Sequence, residues 1–211
     1  MQNQEIYHFT HKDNIVSIIK SNGIFSTNNG KINKIEFKDA SYLNIQDRRS
    51  RALVNTKING VLHDYIPFYF APRSPMLYAH YKNKVTSKIK QSDLVYLVSS
   101  IGSVVNDKLN YAFTDGHAAQ NISSFFDDLK DLNQIDWPLM KDKMWNNTLE
   151  DTDRTRRRQA EFLVKDFFPF QLVHKIGVFD ESNKKYIISI LKNNDKENMV
   201  KHVFIERYWY F

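Results

Sequence analysis

The chain has 211 residues, no cysteine, a formal charge of +6 and a pI near 9.3, with 42% hydrophobic and 26% charged residues. That suits one globular domain, residues 1–211, with a substantial core, and excludes disulfides, a thiol nucleophile and a cysteine-ligated metal. No apolar run approaches the ~20 residues of a membrane span and residues 1–5 carry no signal peptide, so a chain of the reducing cytoplasm is expected.

Residues 5–10 alternate as a strand, with Ile6 and His8 facing one way and Tyr7 and Phe9 the other. Asp13 can cap a helix over 14–21, with Ile15, Ile18 and Ile19 on one face, and Asn22-Gly23 closes it with a left-handed cap. His8 and Thr10 share a strand face beside that helix start, where a pyrophosphate is favoured. Residues 28–38 are polar and read as a loop. Residues 39–54 read as a short helix carrying the basic cluster Arg48-Arg49-Ser50-Arg51. An aromatic strand follows at 65–71, in which Pro67 suggests an edge position or a break. Pro72-Arg73-Ser74-Pro75 is a rigid turn before a helix over 76–81.

Residues 93–99 read as a strand, 101–108 as a short helix and 111–114 as a strand. The last runs into a tight turn, Asp115-Gly116-His117-Ala118-Ala119, presenting His117. Short helices are expected from 123–128 and at 137–144, then an aspartate-rich exposed loop at 146–155. That loop leads to Arg154, Arg156, Arg157 and Arg158. Three residues after the last arginine, Glu161 opens an apolar run, Phe162-Leu163-Val164, that reads as a buried strand. A further strand at 170–179 is expected to pair with it, followed by a helix at 185–193 and a strand at 202–205.

Glu161 thus sits where an aqueous basic loop enters the core. Desolvation would raise its pKa and the arginines would lower it, and either makes it a candidate base or charge stabiliser. The plainer alternative is a strand-end glutamate paired with an arginine. The chain has no Gly-rich phosphate loop, nucleophile elbow, His-Glu-x-x-His or calcium loop, and its seven histidines are not spaced as a metal site. Basic charge with 11 Tyr and 15 Phe suits single-stranded nucleic acid, although most of those rings must be core.

Five blocks in order resemble the DarT family, bacterial toxins that ADP-ribosylate a base of single-stranded DNA with NAD. They are Tyr7-His8-Phe9-Thr10-His11 with Asn14 and Gly23; Asp47-Arg48-Arg49; residues 64–78; Thr114-Asp115-Gly116-His117-Ala118; and residues 157–164. Trp209-Tyr210-Phe211 also fits. The resemblance implies an α+β ADP-ribosyltransferase fold, a split and mostly antiparallel sheet with helices around an NAD cleft. It implies NAD as consumed co-substrate, no metal, single-stranded DNA as substrate, a macrodomain antitoxin as partner, and a monomer. His8, Thr10, Asn14 and Gly23 would hold NAD, with Arg49, or its neighbour Arg48, on the pyrophosphate. Glu161 would be catalytic, with Arg49 beside it. His117, Arg73 and the arginines from Arg154 to Arg158 would face the DNA, and one arginine of that cluster would donate to the charge developing on the base carbonyl. Thymine is the favoured base; guanine in DNA, RNA, a protein acceptor, or a non-catalytic strand-binding module remain alternatives.

Overall fold

The structure, a computed structural model, describes residues 3–38, 43–84 and 89–211, with Leu43 and Asn44 as backbone only. In chain order the elements are β1 (Glu5–His11), α1 (Asn14–Lys20), β2 (Gly23–Phe25), α2 (Thr27–Ile32), α3 (Leu43–Arg51), β3 (Tyr65–Tyr69), α4 (Pro75–Tyr81), β4 (Leu94–Ser100), α5 (Ile101–Asn106) and β5 (Tyr111–His117). Then come β6 (Phe125–Phe126), α6 (Trp137–Lys141), α7 (Arg154–Arg157), β7 (Ala160–Lys165), β8 (Phe167–Pro169), β9 (Lys175–Val178), α8 (Glu181–Lys192) and β10 (Val203–Ile205), with short 3-10 turns between them.

An eight-stranded sheet runs β10-β9-β4-β1-β3-β7-β5-β6, antiparallel except for the β9–β10 pair. Burial on both faces explains β4, which is apolar almost throughout. Val95 and Leu97 enter a large core with Ile6, Ile15, Ile101, Ile187 and Leu191, while Leu94, Tyr96 and Val98 enter a second core with Tyr7, Leu77 and Tyr210. Strand β7 alternates likewise: Phe162 and Val164 join the large core, and Leu163 joins a third with Tyr65 and Leu62. Glu161 shares the parity of Leu163, so a carboxylate occupies what would be an apolar position.

The sheet is split. β1 pairs with β4 along its whole length but with β3 only at Tyr7↔Tyr69, whereas β3 pairs with β7 over five residues. Pro67 sits in the split. Its carbonyl points toward β1, where His8 reaches it, so its missing N–H also faces the gap and costs β7 no ladder bond. The proline therefore marks a break within a central strand, not an edge.

Several sequence expectations are corrected here. Residues 27–32 form α2 rather than loop: Ser26 Oγ caps it, and Asn28 and Asn29 tie it to Asp64 and Asp166. Asp13 does not cap α1; its carboxylate holds Lys38 and the Tyr186 hydroxyl. The left-handed residue is Asn22, at φ 57°, and Gly23 begins β2. Residues 123–128 contain β6 rather than a helix start, and β5 continues to His117 instead of turning at 115. After β7 the chain turns at Asp166, φ 64°, and β8 pairs with β2; β9 pairs with β4 and β10, not with β7. The first four residues of the expected 39–54 helix lie outside the described residues.

Candidate active site

The cleft opens at the split and is lined by His8, Thr10, Asn14, Gly23, Arg49, Tyr69, Met76, His117 and Glu161, among others. Its lining also includes the apolar Ile18, Ile24, Phe25, Ile35 and Phe37. It thus offers a polar, chemically dense end at Glu161 and an apolar end.

Three elements converge on Glu161. From β7 its carboxylate is 2% exposed. From α3, Arg49 Nη1 donates to Oε1 at 3.1 Å and to Oε2 at 2.9 Å. From the end of β5, the Ala118 amide donates to Oε1 at 3.2 Å. Because one guanidinium nitrogen serves both oxygens, Arg49 Nη2 is left buried with no partner among the described residues. Strand β5 bulges to permit this. Between the Phe113↔Phe162 and His117↔Ala160 pairs it takes four residue steps against two on β7. Thr114 fills the bulge: its hydroxyl donates to Gly116 O at 2.6 Å and accepts from Glu161 N at 3.1 Å. Bulges beside functional groups re-aim side chains, and this one brings His117 and Ala118 onto the carboxylate.

His117 Nδ1 lies 3.9 Å from Glu161 Oε1 but accepts from the Ala119 amide at 3.1 Å. Burial lowers its pKa more than Glu161 raises it, and Arg49 and Arg48 lower it further. The ring is therefore neutral, with its proton on Nε2, and the contact is not an ion pair. His8 is similar. Burial lowers its pKa, and Nδ1 donates to Pro67 O at 2.9 Å, which leaves Nε2 an acceptor. Asn14 spends its amide on Thr10 Oγ1, at 2.9 Å, and on the backbone of Lys38. That leaves the Thr10 hydroxyl its own proton to donate. Tyr69, opposite Glu161 in register, lies against Phe9 with ring planes 9° apart. Burial and then the Glu161 charge raise its pKa, so its hydroxyl is a neutral donor. No group of three His, Asp or Glu residues among those described could hold a metal ion.

Residues 7–211 match the family described as DarT, ssDNA thymidine ADP-ribosyltransferase. The chain belongs to the DarT family. It is 36% identical over 206 residues to a DNA ADP-ribosyl transferase of Thermus aquaticus, covering 98% of this chain and 88% of that one. Its fold is similar to Thermus sp. 2.9 DarT in complex with ADP-ribosylated ssDNA, at a TM-score of 0.92 and 34% identity over 100% of this chain and 98% of that one. The complex of the same Thermus protein with NAD+ gives 0.87 and 33%, over 100% and 99% of the two chains.

Against DarT landmarks, His8, Thr10, Asn14, Gly23, Arg49, His117 and Glu161 all line one cleft, and Arg48 does not. Arg48 is exposed, near enough to His117 to disfavour its protonation. The other arginines hold the protein together. Arg154 binds Asp142 and the Met144 and Asn146 carbonyls. Arg156 binds Asp153, Asp115 and Ser123, and Arg157 binds Asp136 and Asp151. Arg158, 4% exposed, donates to the carbonyls of Leu139, Met140 and Pro72, and burial pushes its pKa down to about 10. Arg73 lies over the Phe211 ring and donates to Tyr210 O. The aspartates between 136 and 153 are thus the internal counter-charge of the cluster. Tyr69, Met76 and the Ala118 amide were missed by sequence reasoning. Tyr69 alone had a signal, lying two residues beyond Pro67 on the same face.

Proposed function

We propose that this chain transfers ADP-ribose from NAD to the N3 of thymine in single-stranded DNA, acting in the cytoplasm as the toxin of a pair whose antitoxin is a macrodomain protein. The carrying observation is a buried carboxylate that shares its cleft with a spare guanidinium N–H, inside a DarT-family fold. The cleft residues suit NAD. The apolar end around Gly23, Ile24 and Phe25 suits adenine, and His8 and Thr10 suit the nicotinamide half.

In this reading the bond from the ribose anomeric carbon to nicotinamide breaks and neutral nicotinamide leaves. Positive charge grows on the sugar, and Glu161 stabilises it. The same carboxylate takes the thymine N3 proton as the nitrogen bonds to that carbon. Arg49 Nη2 donates to the negative charge that spreads onto the thymine carbonyls. That role falls to Arg49 because it lines the cleft with Glu161, whereas Arg154, Arg156, Arg157 and Arg158 do not and hold carboxylates or carbonyls within the protein. Thymine N3 is occupied in a duplex, so an unpaired strand is required.

The test is incubation with NAD and a panel of homopolymer oligonucleotides, read by mass, for wild type and Glu161→Gln. Addition of one ADP-ribose to oligo-dT by wild type alone is expected. Modification of oligo-dG, RNA or protein instead, or equal transfer by the variant, overturns the reading.

A further inference from the structure

The arginine cluster reaches the chemistry indirectly. Arg156 lies across the backbone of the β5 bulge: a Cβ built on Gly116 would meet its guanidinium carbon at 2.9 Å and its Cγ at 3.1 Å, with Nη1 nearer still. A side chain at 116 would have to displace it. The guanidinium is held by three side chains. Nε holds Asp153 Oδ1 at 2.8 Å, and Nη2 holds Asp153 Oδ2 at 2.8 Å. Nη1 reaches Asp115 Oδ1 at 3.2 Å and Ser123 Oγ at 3.0 Å. Asp115 Oδ1 also accepts from the Ser124 amide at 2.9 Å, which closes the loop behind the bulge. Two residues past Gly116 comes the Ala118 amide that donates to Glu161.

We propose that Arg156 is a positioning residue for Glu161, pressing the Gly116 backbone so that the Ala118 N–H stays on Oε1. It touches neither Glu161 nor the cleft, and its catalytic consequence, though not its structural one, rests on the proposed function. The clamp also ties the segment ahead of β7, through Asp153, to the bulge beside Glu161. The charged and titratable groups facing Glu161 are Arg49 from α3, His117 from β5 and Tyr69 from β3, with Arg48 beyond His117. Loosening the clamp removes an N–H donor and leaves these in place.

The experiment uses the full chain isotopically labelled at alanine nitrogen, with the Ala118 amide assigned by its loss in Ala118→Gly. In Arg156→Lys and Gly116→Ala that amide is expected to exchange with solvent about tenfold faster. The double variant should be no faster than the quicker single, since both break one device. Ser123→Ala, which removes one acceptor and adds no bulk, should give a smaller increase and guards against misfolding of Gly116→Ala. In transfer assays the Arg156→Lys kcat is expected to fall about tenfold, while KM for NAD stays within about twofold. Unchanged Ala118 exchange in Arg156→Lys overturns the proposal, as does additivity of the two single effects. If wild type transfers nothing to any oligonucleotide, the function fails while the exchange measurement still decides the positioning.

Discussion

A guanidinium buried on a single carboxylate is costly to orphan. Removing one partner of such a pair typically costs about 3–5 kcal/mol, because the other charge remains in a poorly solvating site. Arg49 has Glu161 as its counter-charge and already carries one unsatisfied nitrogen. Glu161→Ala is therefore expected to lower stability by about that amount, and Glu161→Gln by clearly less, since the amide oxygen still accepts. Urea unfolding of the two variants measures the difference. Activity should separate differently: both should lose transfer by about 10²–10⁴-fold, the usual reach of general acid–base catalysis. If Glu161→Gln unfolds as readily as Glu161→Ala, the side chain's shape and hydrogen bonding contribute little. Glu161 could be singled out from the sequence because a lone acid between a basic cluster and an apolar run is locally unusual. Its bond to Arg49 could not, because the partners are 112 residues apart and no spacing rule spans that.

At the scale of elements, the strand pairs follow alternation where alternation is clean, as in β1, β4 and β7. The small sheet β2–β8 did not, since three-residue strands carry no readable period and Asp166 redirects the chain to pair Phe168 with Ile24. Gly23 is where this matters most. It lines the cleft, and its Cα is pressed against β8: a Cβ there would collide with the Phe168 carbonyl oxygen and the Phe167 ring. The obstacle includes backbone, which cannot rotate away. Gly23→Ala is expected to push β2 off β8 and to cost about 1–3 kcal/mol, the usual range for overpacking, visible as a lowered Tm. It should also raise KM for NAD more than it lowers kcat, because the displaced strand forms the wall of the apolar end. A Tm equal to wild type would mean the two strands are held apart from each other by more space than they show.

Over the whole molecule, burial of neutral titratable groups sets a pH window. His8, His11 and His117 have pKa values lowered chiefly by burial, from an ordinary 6.5. A group depressed in the folded state contributes stability that is present above its unfolded value and is lost as pH falls through the folded one. Stability should thus decline on acidification below about pH 6.5, before the carboxylates are reached. Asp13, Asp151 and Asp153, held low by Lys38, Arg157 and Arg156, add a second loss only below about pH 4. On the alkaline side Tyr7, Tyr69, Tyr96 and Tyr210 are raised, burial being the first cause in each. Their contribution is complete below pH 10 and is lost above it. Maximum stability is therefore expected between about pH 6.5 and 10, a plateau that a net charge of +6 alone would not place there. The residue to remove is His8, whose one polar partner among the described residues is the Pro67 carbonyl. In His8→Gln, the amide still reaches that carbonyl but has no proton to gain. The drop in Tm between pH 7 and pH 5 should therefore be smaller in the variant than in wild type. Equal slopes in the two proteins would mean that the ring is protonated, or open to water, in the folded state.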